Sequence, residues 1–357
     1  MKKTLRTMLA MACMCCVTRA FAGSLALVAT IDIPSDQRVK GHSIGGLSGV
    51  DFDERSHRLV FIEDDEDAHF LTARLTSEAG RYRVVWESAD RLDMCSYVRG
   101  RKRSPADGES IRRDTAGGLV WSSEGRFKVG VGPSVTFVAG GGKCRANLPL
   151  PTMLRFDPTG RTGPRPNKVF EGMTFSPDGR SLWVAMEDAL LQDGPASSHQ
   201  AGGLTRISRF DRKGRLLQQV AYRLDPIQAP GVAGIADNGI SEILSDVDGT
   251  LLVLERSGAK NASGHFDFYC RLYRIDPSTA ADVRALPSLS LRPDVVVRKT
   301  LLLDFSTLAG TLPFNFEGMA WGPPGHDGGR TLLFISDNGF EDIPSRIMIF
   351  SVTASLP

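Results

Sequence analysis

Residues 171–188 read EGMTFSPDGRSLWVAMED. An acidic residue precedes a short apolar stretch, a Ser-Pro-Asp-Gly turn follows, and an apolar, aromatic run then ends at a second acid. This order predicts two β-strands joined by a tight turn. The segment is therefore interpreted as a β-hairpin with a carboxylate at each end.

Four other segments of the chain repeat this pattern. They are residues 48–65 (SGVDFDERSHRLVFIEDD, with Ser48 in the first acidic position), 109–125 (ESIRRDTAGGLVWSSEG), 242–257 (EILSDVDGTLLVLERS) and 317–338 (EGMAWGPPGHDGGRTLLFISDN). Further strand-like runs follow the copies, and four strands per unit is the plan of a propeller blade. The repeat predicts an all-β propeller of five blades, or of six if a long interval hides another copy. A β-sandwich, or two packed β domains, is the alternative.

The last repeat has one strand fewer than the others. Residues 24–33 (SLALVATIDI) alternate in polarity as the missing strand would. We expect this segment to pair with residues 346–352 and to close the ring, which removes the exposed edges of an open sheet.

The composition indicates an ordinary globular protein. Of 357 residues, 41% are hydrophobic and 24% charged, and the 37 glycines and 20 prolines suit a turn-rich chain. This excludes a disordered, collagenous or coiled-coil protein. A net charge of +2 provides no general attraction for nucleic acid. No apolar run of about 20 residues follows the N-terminal segment, so we expect no integral membrane segment. The oligomeric state is left open.

The N-terminus has the pattern of an export signal. Basic residues within 2–6 precede an apolar run over 8–17, and Ala-Phe-Ala then precedes Gly23. We expect residues 1–22 to be a signal peptide cleaved before Gly23, and residues 23–357 to form one domain in the periplasm or outside the cell.

Three cysteines remain after such cleavage. Cys95 and Cys144 lie in loop-like sequence and form the better candidate pair, whereas Cys270 lies in a strand-like run typical of a buried free thiol. Three cysteines cannot all pair, and the sequence does not decide which do.

The repeated acids point to a cation site. In a ring of blades, both acidic positions fall at the same end of each blade, so the carboxylates gather at one mouth of the central channel. Their mutual repulsion calls for cations, above all Ca²⁺ with its preference for oxygen ligands. The metal ligands predicted at the first acidic position are Glu109, Glu171, Glu242 and Glu317. The alternative is that the acids hold the blades together by binding backbone N–H groups and arginines.

The second acidic position comprises Glu63, Glu124, Glu187, Glu255 and Asp337. We predict Glu187, Glu255 or Asp337 as the general base or as outer metal ligands. The substrate-binding candidates are Arg112 and Arg256, which could neutralise a phosphate.

Two other catalytic motifs are absent from the sequence. There is no Walker A motif and no H-E-x-x-H, and the six histidines show no paired spacing. His69 stands out because it follows the acidic run Asp64–Asp67.

The order of motifs resembles a known family. The motifs are Asp107-Gly108-Glu109-Ser110-Ile111, Trp121-Ser122-Ser123-Glu124, Phe170-Glu171-Gly172-Met173 with Ser176-Pro177-Asp178-Gly179 and Glu187, Asn238-Gly239-Ile240-Ser241-Glu242, and Asn315-Phe316-Glu317-Gly318-Met319. Together they are similar to the phytase-like domain, whose members are called "esterase-like activity of phytase" proteins, over about residues 40–350. The resemblance implies an exported bacterial β-propeller that hydrolyses phosphate or other esters. The Gly-rich loop over residues 125–150 departs from the family pattern.

Two functions follow from these observations. The first is a metal-dependent hydrolase of a phosphomonoester or other small-molecule ester, acting at the channel mouth with Ca²⁺ as cofactor. The second is a non-enzymatic propeller that binds a ligand or forms an envelope scaffold, with structural Ca²⁺.

Overall fold

The computed structural model describes residues 25–78, 81–95, 105–230, 236–308, 314–325, 328–352 and 356. The strands, in chain order, are β1 (Leu25–Ile33), β2 (Arg38–Val39), β3 (His42–Ser43), β4 (Leu47–Asp53), β5 (Arg58–Glu63), β6 (His69–Glu78), β7 (Arg81–Arg91), β8 (Gly108–Arg113), β9 (Leu119–Ser123), β10 (Ser134–Val138), β11 (Cys144–Asn147), β12 (Phe170–Phe175), β13 (Ser181–Met186), β14 (Leu204–Asp211), β15 (Leu216–Arg223), β16 (Ala236–Ser245), β17 (Leu251–Lys260), β18 (Phe266–Ile275), β19 (Lys299–Asp304), β20 (Asn315–Trp321), β21 (Arg330–Asp337) and β22 (Ser345–Val352). Five short 3₁₀ helices cover Phe127–Val129, Thr152–Leu154, Leu191–Asp193, Leu289–Leu291 and Phe305–Thr307. These ranges contain no α-helix.

The strands form a five-bladed β-propeller. Blade 1 is β4–β7, blade 2 is β8–β11, blade 3 is β12–β15, blade 4 is β16–β19, and blade 5 is β20–β22 together with β1. The innermost strands are β4, β8, β12, β16 and β20, and each contacts the next around the ring, with β20 returning to β4. The predicted five blades are confirmed, and β2 and β3 form a small hairpin outside the blades.

Tight turns join the two inner strands of a blade where the sequence predicts them. Between β12 and β13, the N–H of Gly179 donates to the carbonyl of Ser176 at 2.8 Å, and Gly179 has a φ of +66°. Between β16 and β17, the N–H of Gly249 donates to Asp246 at 3.0 Å, with a φ of +85° at Gly249. Glycine adopts this left-handed conformation without steric strain.

The N-terminal strand closes the ring. β1 pairs antiparallel with β22 from Leu25 opposite Val352 to Ile33 opposite Ser345. The guanidinium of Arg346 also binds Asp32 across the pair, at 2.6 Å. This pairing confirms the predicted closure, and it supplies the fourth strand that blade 5 lacks.

The hydrophobic core is divided among the interfaces between blades. Between blades 4 and 5, Phe305, Phe316, Phe334 and Phe350 pack with ring centroids 5.0 to 6.4 Å apart, several of them edge to face. Aromatic rings favour this arrangement because the positive edge of one ring meets the negative face of another. Each blade is therefore stabilised by its neighbours.

The cysteines follow the favoured pairing. Cys95 and Cys144 form a disulfide between the end of blade 1 and the outer strand of blade 2, and Cys270 is a buried free thiol. The predicted signal peptide, with its cleavage site before Gly23, lies outside the described residues. Among the helices in the described ranges, none has the length and apolar character needed to cross a membrane.

Candidate functional site

Each inner strand carries a β-bulge at or beside its first acidic position. The pairing register shifts at or beside Ser48, Glu109, Glu171, Ser241 and Glu317. A bulge re-aims a side chain at the end of a strand, and bulges commonly lie beside functional sites. Glu109, Glu171 and Glu317 are thereby brought together: the charges of Glu171 and Glu317 raise the pKa of Glu109, and the charge of Glu317 raises the pKa of Glu171.

Glu242 lies one position farther along its strand than the other predicted metal ligands. The bulge of β16 falls at Ser241, so Glu242 takes the place that Gly172 and Gly318 occupy in their blades. There Glu242 is fully buried and forms an ion pair of 2.7 Å with Arg112. Burial raises the pKa of Glu242 to about 7.

Arg112 is bound by the backbone of several blades. Its guanidinium donates to the carbonyls of Val50 at 2.6 Å and of Ile243 and Met319 at 3.2 Å, which belong to blades 1, 4 and 5. Because these bonds and Glu242 occupy it, the predicted substrate-binding Arg112 is part of a buried ion pair that ties the inner strands together.

The second acidic position also divides into two sets. Glu63 pairs with Leu47 and Glu255 with Ile240, each one residue before the bulge, whereas Asp337 pairs with Asn315, two residues before the bulge of its blade. Successive residues of a strand face opposite sides, so a shift of one residue reverses the direction of the side chain. The structural equivalents of Asp337 in blades 1 and 4 are therefore Asp64 and Arg256.

Glu255, predicted as a general base or outer ligand, is enclosed on the other side of its strand. Its carboxylate accepts hydrogen bonds from the hydroxyl of Tyr222 at 2.6 Å, the N–H of Asp225 at 2.9 Å and the amide of Asn238 at 3.1 Å. Lys299 completes this set at 2.5 Å. These contacts fit the alternative interpretation of the repeated acids, in which the carboxylate stabilises the blade.

One half of the mouth is almost purely acidic. Its members are Asp64, Asp107, Glu109, Glu124 and Glu171. Ligand oxygens of the first three lie within 4.8 Å of one another, as do those of the last three, so Glu109 belongs to both groups. Of the basic side chains in the described ranges, Arg126 pairs with this half, at 3.0 Å from Asp107.

Burial and mutual repulsion hold protons on this half. The pKa of Asp107 rises to about 9, through burial and then through the neighbouring Asp64 carboxylate, and that of Glu124 rises to about 8. Oδ1 of Asp64 and Oδ2 of Asp107 are buried without a hydrogen-bond partner among the described residues. Two adjacent ionised carboxylates have no hydrogen to donate, so this pair needs a shared proton or a bound cation.

The other half of the mouth contains cations. Lys168 binds Glu187 and Asp237 at 2.7 Å each, and Arg256 binds Glu187 at 3.1 Å. The Nε of Arg256 is buried without a hydrogen-bond partner in the described ranges and lies 3.7 Å from Glu317. These two cations offset the charges of Glu187 and Asp237, and the Nε–H of Arg256 remains available to donate to a ligand.

Glu317 and Asp337 form a carboxyl pair with separate pKa values beside Arg256. The amide of Asn315 donates to Glu317 at 2.8 Å and reaches Asp337 at 3.5 Å. Burial and the charge of Asp337 raise the pKa of Glu317 to about 8. Burial raises the pKa of Asp337 to about 6, with the N–H of Gly339 opposing the shift. Both shifts favour the protonated forms, and the pKa of Glu317 is the higher of the two.

The sequence reasoning missed Asp64, Asp107 and Lys168 as members of the mouth. Asp64 stands in an acidic run, and Asp107 precedes Glu109 by two residues within a quoted motif, so both carried a weak signal. Lys168 lies just before β12, and nothing in its local sequence distinguishes it. Together, the five clustered carboxylates can hold a hard divalent cation, and the Lys168–Arg256 side can hold an anion.

A comparison with family profiles identifies residues 42–340 as Phytase-like, described as "Esterase-like activity of phytase". No curated protein is significantly similar to this chain.

Several solved structures are similar to this chain at low identity. They include the tail fibre of Staphylococcus aureus phage P68 (10% identity, TM-score 0.44, 93% of this chain and 53% of that one) and the mannose phosphorylase MPT-4 of Leishmania mexicana (11%, 0.41, 91% and 88%). A third is the gluconolactonase XC5397 of Xanthomonas campestris (12%, 0.32, 89% and 97%). The chain spans about half the length of the phage tail fibre. Likenesses this distant carry no argument about activity.

Proposed function

This chain belongs to the phytase-like family, and from that membership we propose that it is a metal-dependent hydrolase of a phosphomonoester or another small ester. The reaction takes place at the channel mouth, with Ca²⁺ as the cofactor. The observation that carries the proposal is the acidic half of the mouth, where five clustered carboxylates meet one arginine.

The donor set fits Ca²⁺. Calcium takes six to eight oxygen ligands in flexible geometry, and the residues that would hold it are Asp64, Asp107, Glu109, Glu124 and Glu171. The unpartnered oxygens of Asp64 and Asp107 are the atoms that such an ion would satisfy. When bound, Ca²⁺ would supply a Lewis acid that polarises the ester oxygen and favours ionisation of water.

The opposite half supplies binding and proton transfer. Lys168 and Arg256 would orient the anionic part of the substrate, with Glu187 holding both cations in position. Asp337, with a pKa of about 6, would take the proton of the attacking water as its oxygen bonds to phosphorus or carbon. Glu317, with a pKa of about 8, would give its proton to the alcohol oxygen as the ester bond breaks.

We also propose that the protein is exported and begins at Gly23 after cleavage. A disulfide between Cys95 and Cys144 is compatible with an oxidising compartment. N-terminal sequencing of the secreted protein tests this, and material that begins at Met1 would exclude the cleavage.

The decisive experiment removes one charge from the acidic half. Glu171→Gln keeps the shape of the side chain, and Glu87→Gln makes the same change at a surface residue of β7 that pairs with Arg58 and Arg74. At a hundredfold excess over Kd, Ca²⁺ stabilises the folded state by about 2.7 kcal/mol. We expect a Ca²⁺-dependent rise in Tm for the wild type and for Glu87→Gln, and a smaller rise for Glu171→Gln.

Hydrolysis is measured on a chromogenic phosphate monoester and a chromogenic carboxylate ester. Chelation and Glu171→Gln should both reduce turnover, while Glu87→Gln should retain it. If Ca²⁺ leaves the Tm of the wild type unchanged and chelation leaves turnover intact, the metal mechanism is wrong.

The second candidate is the non-enzymatic propeller with structural Ca²⁺. The observation in its favour is the depth of the acids, since Glu124 and Glu187 are 4% and 1% exposed. Stabilisation by Ca²⁺ without turnover of either ester would select this function.

A further inference from the structure

A cluster that contains two histidines and one carboxylate lies in blade 1, where β5 ends and β6 begins. His42, Glu63 and His69 place one ligand atom each within 4.8 Å of the others. Nε2 of His42 lies 2.6 Å from Oε2 of Glu63, and the rings of His42 and His69 have centroids 4.5 Å apart. We propose that these three residues bind a divalent transition ion of the Zn²⁺ type, at a site separate from the proposed Ca²⁺ site.

The fold separates the two sites by the alternation of one strand. Glu63 is the last residue of β5 and pairs with Leu47, whereas Asp64 follows it and turns toward the channel. Consecutive strand residues face opposite sides, so the two carboxylates serve different surroundings. The proposed zinc site therefore does not depend on whether the channel binds Ca²⁺.

The ligands come from a short, well-connected part of the chain. His42 lies on β3, which leads into β4, and His69 is the first residue of β6. The N–H of Gly45 donates to Oε1 of Glu63 at 3.1 Å, and the N–H of Asp64 donates to the carbonyl of Gly46 at 2.7 Å. These bonds hold the β3–β4 connection against the end of β5, and they leave Oε2 of Glu63 facing His42.

Asp65 orients His69 in the way that metal-binding histidines require. Its carboxylate accepts the ring Nδ1–H of His69 at 2.6 Å and the backbone N–H of the same residue at 3.1 Å. A histidine ligand usually donates its second ring N–H to a carboxylate or carbonyl, which fixes the tautomer and strengthens the free nitrogen as a ligand. Nε2 of His69 is thereby left as a lone-pair donor.

Arg91 is the group that a cation must displace. Its Nε–H donates to Nε2 of His69 at 3.2 Å, and its Nη2 donates to Asp67 at 2.8 Å. The side chain of Arg91 is 44% exposed, so it can keep Asp67 as its partner and turn away from the ring. The His42–Glu63 hydrogen bond would likewise be exchanged for two bonds to the ion.

The ligand set distinguishes zinc from calcium. Two imidazoles and one carboxylate are typical of zinc sites with an open position, whereas calcium prefers oxygen ligands throughout. Atoms that share a tetrahedral zinc at about 2.1 Å lie about 3.4 Å apart, so Nε2 of His42 and Oε2 of Glu63, which are 2.6 Å apart without the ion, must separate on binding. The side chain of His42 is 26% exposed, which leaves water access to a fourth position.

The test uses the full-length protein, stripped of metal by chelation and titrated with Zn²⁺ in a calorimeter. We expect one Zn²⁺ per chain for the wild type, and loss of this binding in His42→Gln and in His69→Gln. The matched control is His265→Gln, which makes the same change at an exposed residue of the β17–β18 turn. Asp65→Asn should weaken binding by about 10–100-fold, as expected for a residue that orients a ligand.

Two further measurements distinguish the proposed zinc site from the proposed Ca²⁺ site in the channel. Glu171→Gln should retain Zn²⁺ binding, and His69→Gln should retain the Ca²⁺-dependent rise in Tm, so failure of one site does not conceal failure of the other. Zn²⁺ binding that persists in both histidine variants would assign the ion to the channel carboxylates and overturn the proposal, as would absence of binding to the wild type.

The wild type alone provides a test if a variant does not fold. Co²⁺ in place of Zn²⁺ should show the intense visible bands of a four- or five-coordinate ion with nitrogen ligands. The weak spectrum of an octahedral, all-oxygen ion would overturn the proposal.

Discussion

The acidic mouth should make the stability of the metal-free protein fall as pH rises. Asp107, Glu124 and Glu317 are 3%, 4% and 8% exposed, and their pKa values are raised to about 9, 8 and 8. Between the unfolded pKa values of about 4 and these folded values, the folded protein holds protons that the unfolded chain releases. Stability is therefore lost with increasing pH across this window.

The magnitude follows from the number of protons held. Each proton bound by the folded state alone lowers the free energy of unfolding by about 1.4 kcal/mol per pH unit. One proton shared by the cluster therefore sets a slope of about 1.4 kcal/mol per pH unit, and three protons set a slope of about 4 kcal/mol per pH unit. Bound Ca²⁺ replaces the protons of its ligands Asp107 and Glu124, so it should reduce the slope and release protons on binding.

The assay is urea denaturation between about pH 5 and about pH 8, with chelator or with Ca²⁺ added back to stripped protein. The pKa of His69 is raised by its hydrogen bond to Asp65, so this residue also makes the folded protein less stable as pH rises. Its contribution is the same with chelator and with Ca²⁺. Only the difference between the series reports on the mouth. Equal slopes with and without Ca²⁺, or a flat profile in chelator, would refute the reasoning.

Three further predictions concern the framework around the mouth. Arg112→Met should destabilise the protein by about 3–5 kcal/mol, because it leaves Glu242 buried and unpaired. Adding Glu242→Gln should recover part of this loss in urea denaturation, and additive losses would contradict the pairing. Gly172→Ala should cost about 1–3 kcal/mol, since a Cβ there would lie 2.5 Å from the backbone nitrogen of a neighbouring inner strand, and an unchanged Tm would exclude this contact. Replacing Cys95 and Cys144 by serine should cost about 4 kcal/mol for a loop of 49 residues, and equal stability with and without the bridge would contradict the estimate.

The propeller could be predicted from the sequence because its causes are local and repeated. Each hairpin signals itself by strand alternation around an Asp-Gly turn, as at residues 171–188, and five copies of one unit can bury their faces only by packing against one another. The missing strand of blade 5 and the alternating segment at residues 25–33 then left one way to close the ring.

The membership of the mouth depended on register, which the sequence does not display. A one-residue bulge at Ser241 moves Glu242 into the pair with Arg112, and the pairing of β5 and β17 turns Glu63 and Glu255 away while Asp64 and Arg256 face the channel. A single-residue shift reverses the direction of a strand side chain, so an acid in the right repeat can face either side.

The contacts between distant segments were decided by the tertiary structure alone. Lys168 meets Asp237 across 69 residues, and Arg112 meets Glu242 across blades. The sequence by itself determined the repeat, the strands and the excess of carboxylates at one end of the ring. Only the assembled ring decided which of those charges are neutralised by a lysine or an arginine and which are left for a cation, because that depends on distances between blades that no local pattern encodes.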